Sequence, residues 1–363
     1  MVITSQPSPQ ANPSLQADFE KEMVDGFVQS VRRAGLRTDQ IEVVNFYVAL
    51  KSKPLAILVG PAETGKVALV RCLAHSLMGN EPLHCQMMSG HPWWADKNEN
   101  IALFTGIQTS FITEKLLCLI EEAWQPENAG RLFLACLARI SPAEILDFFS
   151  AVAFQLRHGQ LMRLGNVHLS EPIPWPPNLL LIGTMDVVRY DWWDPYLIAQ
   201  TNVVMQSQAR AEKSSPLLPE APVLSWEREF MRSIVRTDQA VFRKLHNVLG
   251  WRRSRWLRQP FQPLLEIEAL METLGVQLPP AAIREALVYL ANAWTRRGSS
   301  LFDPSPLKNL SIALDLAIAQ TILPHVVERI GSSRVTFDGL QNALDVKFPR
   351  SAAFLEKLRW SPG

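Results

Sequence analysis

Apolar residues recur at helical spacing around positions 19–31 and again over 41–50, so residues 17–50 are expected to form N-terminal helices. The texture then changes. Residues 55–59, LAILV, are a short and wholly apolar run that stops at Gly60-Pro61. A run of that length closed by such a dipeptide predicts a strand buried on both faces, as in a parallel sheet. A helix over 66–77 follows. Comparable runs return at 83–88, 132–137 and 179–182, with helical patterns over 113–123 and 142–156 between them. This alternation predicts an α/β fold with a mostly parallel sheet. Residues 160–174 differ, because Gly165-Asn166 separates two alternating runs, and an inserted β-hairpin is expected there. Residues 206–226 are polar and carry prolines, the composition of a linker. Beyond them only helical patterns appear, over 227–248, 263–274, 280–297 and 306–330, with Pro280 suited to a first turn. The expected organisation is a disordered tail (1–16), N-terminal helices (17–50), an α/β core (51–205), a linker (206–226) and an all-α lid domain (227–363). No internal repeat is visible.

Composition narrows the function classes. The 363 residues carry 36 basic and 35 acidic side chains, a net charge of +1. That balance argues against a chain built mainly to coat nucleic acid or a membrane, although a local basic patch remains compatible with it. The length suffices for a large core. Cys72, Cys85, Cys118 and Cys136 show no C-x-x-C spacing, which points to a reducing, cytoplasmic setting. No run approaches the roughly 20 apolar residues that span a bilayer, so no membrane partner is expected. The first residues have neither a basic nor an apolar leader segment.

The most informative stretch is Gly60-Pro61-Ala62-Glu63-Thr64-Gly65-Lys66-Val67. It fits the phosphate-loop pattern G-x-x-x-x-G-K-[ST] at every fixed position except the last, between an expected strand and an expected helix. Glycines let backbone N–H groups wrap around phosphate, and the helix N-terminus favours an anion. Lys66 is placed to reach terminal phosphates. ATP or GTP is therefore the expected ligand class. Val67 lacks the hydroxyl that would ligate Mg²⁺, so the metal is expected to bind weakly or not at all.

With these residues the chain resembles the McrB-like branch of the AAA+ NTPases. The segment from Asn45-Phe46-Tyr47 to Lys51-Ser52-Lys53-Pro54 resembles that family's approach to its phosphate loop. His91-Pro92-Trp93-Trp94-Ala95-Asp96, Pro176-Pro177-Asn178-Leu179 through Gly183-Thr184, and Leu314-Asp315-Leu316-Ala317-Ile318 with Leu323-Pro324 resemble further family motifs in order. The resemblance covers about residues 45–205, with a weaker patch near 280–326. It implies a P-loop AAA+ core with a helical lid and assembly into a ring with itself or an AAA+ paralogue. A separate nuclease effector, as in restriction or antiviral systems, is the implied partner.

The resemblance also locates departures. The family ends its third strand in an aspartate and a glutamate that serve metal and water; here those positions are Ala138 and Arg139. Glu144 and Asp147 lie too far into the next helix to replace them. The sensor-1 asparagine position is Asp186 and the arginine-finger position is Gln200, while Arg284 is the nearest candidate for the lid arginine. Val67, Ala138, Arg139, Asp186 and Gln200 thus depart together, so no catalytic residue is expected. The implied function is a non-hydrolysing nucleotide-binding or scaffold subunit of a ring or effector complex. The alternatives are an active NTPase with displaced catalytic residues, remodelling nucleic acid or protein, and a regulatory nucleotide sensor. In the AAA+ strand order the ends of the third and sensor-1 strands are neighbours, so an Arg139–Asp186 ion pair is expected in the metal's place, with Lys66 or Glu63 nearby.

Other constellations carry less. Cys72, His75, His84, Cys85 and His91 have no standard zinc spacing, and Cys72 and Cys85 read as core residues. The pairs Trp93-Trp94 and Trp192-Trp193 suit either an interface or packing between layers. Arg252, Arg253, Arg255 and Arg258, interleaved with Trp251 and Trp256, suit nucleic-acid phosphates, an acidic partner or a solvated helix face.

Overall fold

A computed structural model describes residues 18–79, 84–89, 101–141, 144–186, 195–206, 226–249, 254–273, 275, 277–330 and 334–359. The expected tail (1–16), the 91–96 motif with Trp93 and Trp94, the pair Trp192-Trp193, nearly all of the expected linker, Arg252 and Arg253, and the side chains of Arg255 and Arg258 lie outside the described residues.

The chain begins with helices α1 (Phe19–Arg33) and α2 (Gln40–Ser52). Asp18 caps α1 by accepting from the Lys21 amide at 3.4 Å, and Asp39 caps α2 by accepting from the Ile41 amide at 3.2 Å. Glu20 and Glu22 in the first turn and Arg32 and Arg33 in the last complement the α1 dipole. α2 is covered on every side from Val43 to Ser52. It ends because Lys53 precedes Pro54 and takes the extended conformation that a following proline imposes.

Five strands form one sheet: β1 (Leu55–Val59), β2 (Cys85–Ser89), β3 (Phe133–Ala138), β6 (Leu179–Met185) and β7 (Thr201–Met205), in the order β2-β3-β6-β1-β7. Every neighbouring pair is parallel. β1, β3 and β6 are buried throughout, as their unbroken apolar runs require. Crossovers are made by α3 (Lys66–Met78), α4 (Ile101–Ala123) and a helix that opens with a π-helical segment (Ile145–Ser150) and continues as α5 (Ala151–His158). Strands β4 (Leu161–Leu164) and β5 (Val167–Ile173) form the expected antiparallel hairpin around Gly165-Asn166. The short helix α6 (Pro195–Gln200) leads into β7.

The C-terminal region is helical: α7 (Glu227–Ser233), α8 (Asp238–Leu249), α9 (Ser254–Thr273), α10 (Pro280–Asn292), α11 (Pro306–Ala317), a π-helical segment (Ile318–Ile322), α12 (Leu323–Ile330), α13 (Arg334–Asp345) and α14 (Pro349–Arg359). Two expected helices are divided. The pattern over 227–248 breaks between α7 and α8 because the Asn292 amide captures that backbone: it accepts from the Val235 amide at 3.0 Å and donates to the Val235 carbonyl at 2.7 Å. The pattern over 306–330 is interrupted by the π-helical segment, and α9 begins earlier than 263.

Buried charges join α2 to both layers. The Lys51 ammonium pairs with Glu20 at 2.6 Å and also donates to the carbonyls of Asn292 and Trp294 at 3.2 and 3.3 Å. Both partners of the pair are shut off from solvent. Tyr47 donates to the same carboxylate at 3.1 Å, and the Arg296 amide donates to its other oxygen at 2.6 Å. Lys53 pairs with Glu285 of α10 at 2.8 Å and donates to the carbonyls of Ile198 and Thr201 at 3.0 and 3.3 Å. Asn45 completes the joint by accepting from Tyr289 and Gln320, each at 2.5 Å.

Removing one member of a buried pair leaves an uncompensated charge, so Lys51→Met should cost about 3–5 kcal/mol. The double variant Glu20→Gln/Lys51→Met should recover much of that loss, and urea denaturation of the two proteins checks both statements. Nearby, Lys244 donates to the Thr295 carbonyl, and burial, reinforced by the Lys51 charge, lowers its pKa from 10.5 to about 8. Between those values the unfolded chain binds the proton that the folded chain has released. This group's contribution to stability therefore rises with pH from about 8 to about 10.5. The stability difference between the natural protein and Lys244→Met, followed by thermal unfolding across that range, should move in favour of the natural protein.

Candidate functional site

The loop that leaves β1 turns into α3 at the C-terminal edge of the sheet. Two glycines make the turn possible. A Cβ on Gly60 would stand 2.7 Å from the Gln206 carbonyl oxygen. Gly65 has φ +83°, and a Cβ there would stand 2.4 Å from Cδ2 of Leu36, which covers the loop. The loop borders a cavity of about 540 Å³ that is also lined by the strand ends Ser89, Ala138 and Asp186. Ligands of parallel α/β sheets bind at this edge, where helix N-termini converge.

Lys66 is buried and its ammonium is fully engaged. It donates to the carbonyls of Gly60 and Pro61 at 3.0 and 2.7 Å and to the Thr64 hydroxyl at 3.3 Å. It also pairs with the Asp186 carboxylate at 2.8 Å. The lysine thus closes the loop on itself and bridges it to the end of β6. Three cations, Lys66, Arg71 and Arg139, and two carboxylates, Glu63 and Asp186, line the cavity. Arg71 and Arg139 have no ion pair among the described residues.

The expected Arg139–Asp186 pair does not form. β3 and β6 are neighbours, as that expectation required, and the Arg139 amide donates to the Thr184 hydroxyl at 2.9 Å. Arg139 has φ +57°, however, and this left-handed turn at the end of β3 leaves its side chain exposed at the cavity rim while Asp186 takes Lys66. Glu63, with φ +60°, is the other non-glycine residue with a left-handed backbone among the described residues. Both line this cavity, and such backbone strain concentrates at functional sites.

The remaining candidates fall as follows. Pro61, Ala62 and Glu63 are exposed on the loop, Thr64 is buried beneath it, and Val67 and Ala138 present apolar surface to the cavity. Gln200 ends α6, half-buried, and does not line the cavity. Arg284 is directed away to Asp238 at 2.6 Å, so it is not a cavity residue. Glu144 accepts from the Ser141 amide at 2.8 Å while the Ser141 hydroxyl accepts from the Glu144 amide at 3.3 Å, a reciprocal helix cap that engages one of its two carboxylate oxygens. Asp147 lies 3.8 Å from Arg163. Asp315 is buried, with burial raising its pKa, and receives the amides of Arg350 and Ser351 at 3.0 and 2.8 Å; it anchors the start of α14.

Among the described residues no cluster of three or more His, Cys, Asp or Glu side chains is disposed to hold a metal. Burial raises the thiol pKa of Cys72 to about 11 and of Cys85 to about 12, which suppresses their thiolates at neutral pH. No described helix is long and apolar enough to cross a membrane. Sequence reasoning missed Arg71, whose only signal was its place one turn beyond Val67 on α3. It also missed Glu20 and Glu285, which look like ordinary surface acids in the sequence. No protein-family model matches the chain, and no curated protein matches it.

Gly65→Ala should destabilise the protein by about 1–3 kcal/mol through left-handed strain, with the Leu36 clash in addition. Gly159 shares the left-handed backbone, at φ +81° and ψ 0°, but has nothing within 4 Å of a Cβ, so Gly159→Ala should show the strain alone. Leu36→Ala placed in the Gly65→Ala background should relieve the clash. Denaturation midpoints separate the two contributions.

Proposed function

We propose that this protein is a degenerate McrB-like AAA+ subunit that binds a nucleoside triphosphate, ATP or GTP, without hydrolysing it, and serves as a scaffold in a ring or effector complex. The reading is carried by one contrast at a single edge of the sheet. The loop and its lysine are intact in form, while the end of β3 offers Ala138 and Arg139 and the Asp186 carboxylate is tied to Lys66. The neighbouring positions of β3, β6 and β1 support the AAA+ reading, because that fold places the phosphate loop and the sensor-1 strand side by side.

The residues fit a polyphosphate. The loop glycines permit close backbone approach, Lys66 supplies a cation at the start of a 13-residue helix, and Arg71 and Arg139 add positive charge at the rim. The residues do not fit a magnesium ion. Val67 and Ala138 carry no side-chain oxygen, and Asp186 is occupied by Lys66. Within this reading Lys66 would exchange its bond to Asp186 for one to phosphate, and Asp186 competes with the ligand for the ammonium. Partners remain those that the family resemblance implies: self or an AAA+ paralogue in a ring, and a nuclease effector.

Titration of the purified chain with ATP and GTP, with phosphate release followed in parallel, tests the proposal. Nucleotide should raise the melting temperature without measurable release, and Lys66→Ala should abolish the shift. Asp186→Asn should tighten binding by about tenfold, because it removes the competing anion. Mg²⁺-dependent release that disappears in Lys66→Ala would favour an active NTPase with displaced residues instead.

A further inference from the structure

The opposite edge of the sheet carries a second cavity, of about 550 Å³, beneath the N-terminal ends of β3 and β6. We propose that this cavity binds a small amphiphilic carboxylate, with the Arg236 guanidinium receiving the carboxylate and apolar walls receiving the body. The inference does not rest on the nucleotide reading, since the two cavities share no lining residue.

The walls are Trp124, Pro126, Pro177, Met231 and Ile234, and the volume lies within the roughly 300–1,000 Å³ usual for small-molecule sites. Trp124 keeps 45% of its surface uncovered although its indole N–H is satisfied by the Pro174 carbonyl at 2.8 Å. The ring face, not the polar edge, is therefore what the indole has left to offer. Asn178 also lines the cavity, but its amide N–H groups are committed to the carbonyls of Ala123, Asn128 and Arg131.

Arg236 sets the ligand class. Its Nε donates to the Lys51 carbonyl at 3.0 Å and its Nη2 to the Leu50 carbonyl at 2.9 Å. Both are carbonyls of the last turn of α2. A guanidinium has five N–H groups, so these two bonds fix its plane and leave the others uncommitted among the described residues. No described carboxylate pairs with it. Arg236 lies in the connection between α7 and α8, and the acids of those two helices are engaged elsewhere: Glu227 accepts from the Leu132 amide at 3.0 Å, Glu229 lies 4.0 Å from Arg296, and Asp238 binds Arg284 at 2.6 Å. Burial lowers the Arg236 pKa to about 10, which still leaves the group charged at neutral pH. A half-buried cation held in place beside an apolar chamber, with no counter-ion among the described residues, is matched by a monoanion with an apolar body. The planar fork suits a carboxylate in bidentate fashion. A phosphate monoester would bring a second charge with no second cation among the lining residues.

Isothermal titration of the full chain with octanoate and, in parallel, octanol tests this. Octanoate should bind at least about tenfold more tightly than the uncharged alcohol of equal length, the difference being the charge-assisted bond. Met231→Trp, which fills the chamber and leaves the bonds of Arg236 to α2 in place, should weaken octanoate about tenfold or more. Arg236→Met should reduce octanoate to the level of octanol; if that variant fails to fold, Met231→Trp carries the test alone. Failure of octanoate to bind in the millimolar range, equal affinity for the two probes, or unchanged octanoate affinity in Met231→Trp overturns the proposal.

Discussion

Two lysines at the end of one buried helix hold the halves of this molecule together. Lys51 and Lys53 follow one another across a single residue, yet they reach different partners, because the chain changes there from helical to extended ahead of Pro54. One ammonium is enclosed by Glu20 and by the carbonyls that end α10, and the other by Glu285 and the carbonyls beside β7. Such pairs give little net stability relative to apolar packing. Their effect is geometric: each charge tolerates one arrangement of its neighbours, so the C-terminal helices have one seat against α2. β1 begins immediately after this joint, and the glycine loop is its direct continuation.

The loop follows the same logic on a smaller scale. Lys66 satisfies carbonyls of its own loop and the carboxylate at the end of β6. The loop is thereby held in shape by its own lysine and bridged to the end of β6. The cavity is lined by three cations and two carboxylates, and Val67 and Ala138 bring no side-chain oxygen to it. In the proposed reading, backbone and glycines would set a shape suited to phosphate, while the side chains of Val67, Ala138 and Asp186 would set a chemistry unsuited to magnesium.

Four of the five sheet strands and the hairpin were legible because their signals are local: short apolar runs, the first closed by Gly-Pro, and a Gly-Asn turn between alternating runs; β7, with Thr201 and Asn202 in a five-residue strand, gave no such run. The glycine loop was legible for the same reason. The Lys66–Asp186 pair was not, because choosing between two cations near one acid depends on the left-handed backbone at Arg139, which no residue type announces there. Glu20 and Glu285 were hidden by distance along the chain. Nothing in EKEM or REAL distinguishes a carboxylate that will be buried beside a lysine 31 or 232 residues away. The division between α7 and α8 was hidden likewise, since an asparagine on another helix makes it.

The burial of α2 from Val43 to Ser52 has a consequence for synthesis. Its enclosing partners include Asn292, which lies 241 residues after Lys51, and Tyr289, 244 residues after Asn45. At the usual pace of translation, about 5–20 residues per second, that separation amounts to roughly ten to fifty seconds. Throughout that interval a nascent chain carries an oily helix without its final cover, although Glu20, the partner of Lys51, has already been made. Until the C-terminal helices emerge, that apolar surface is of the aggregation-prone kind that chaperones exist to shield.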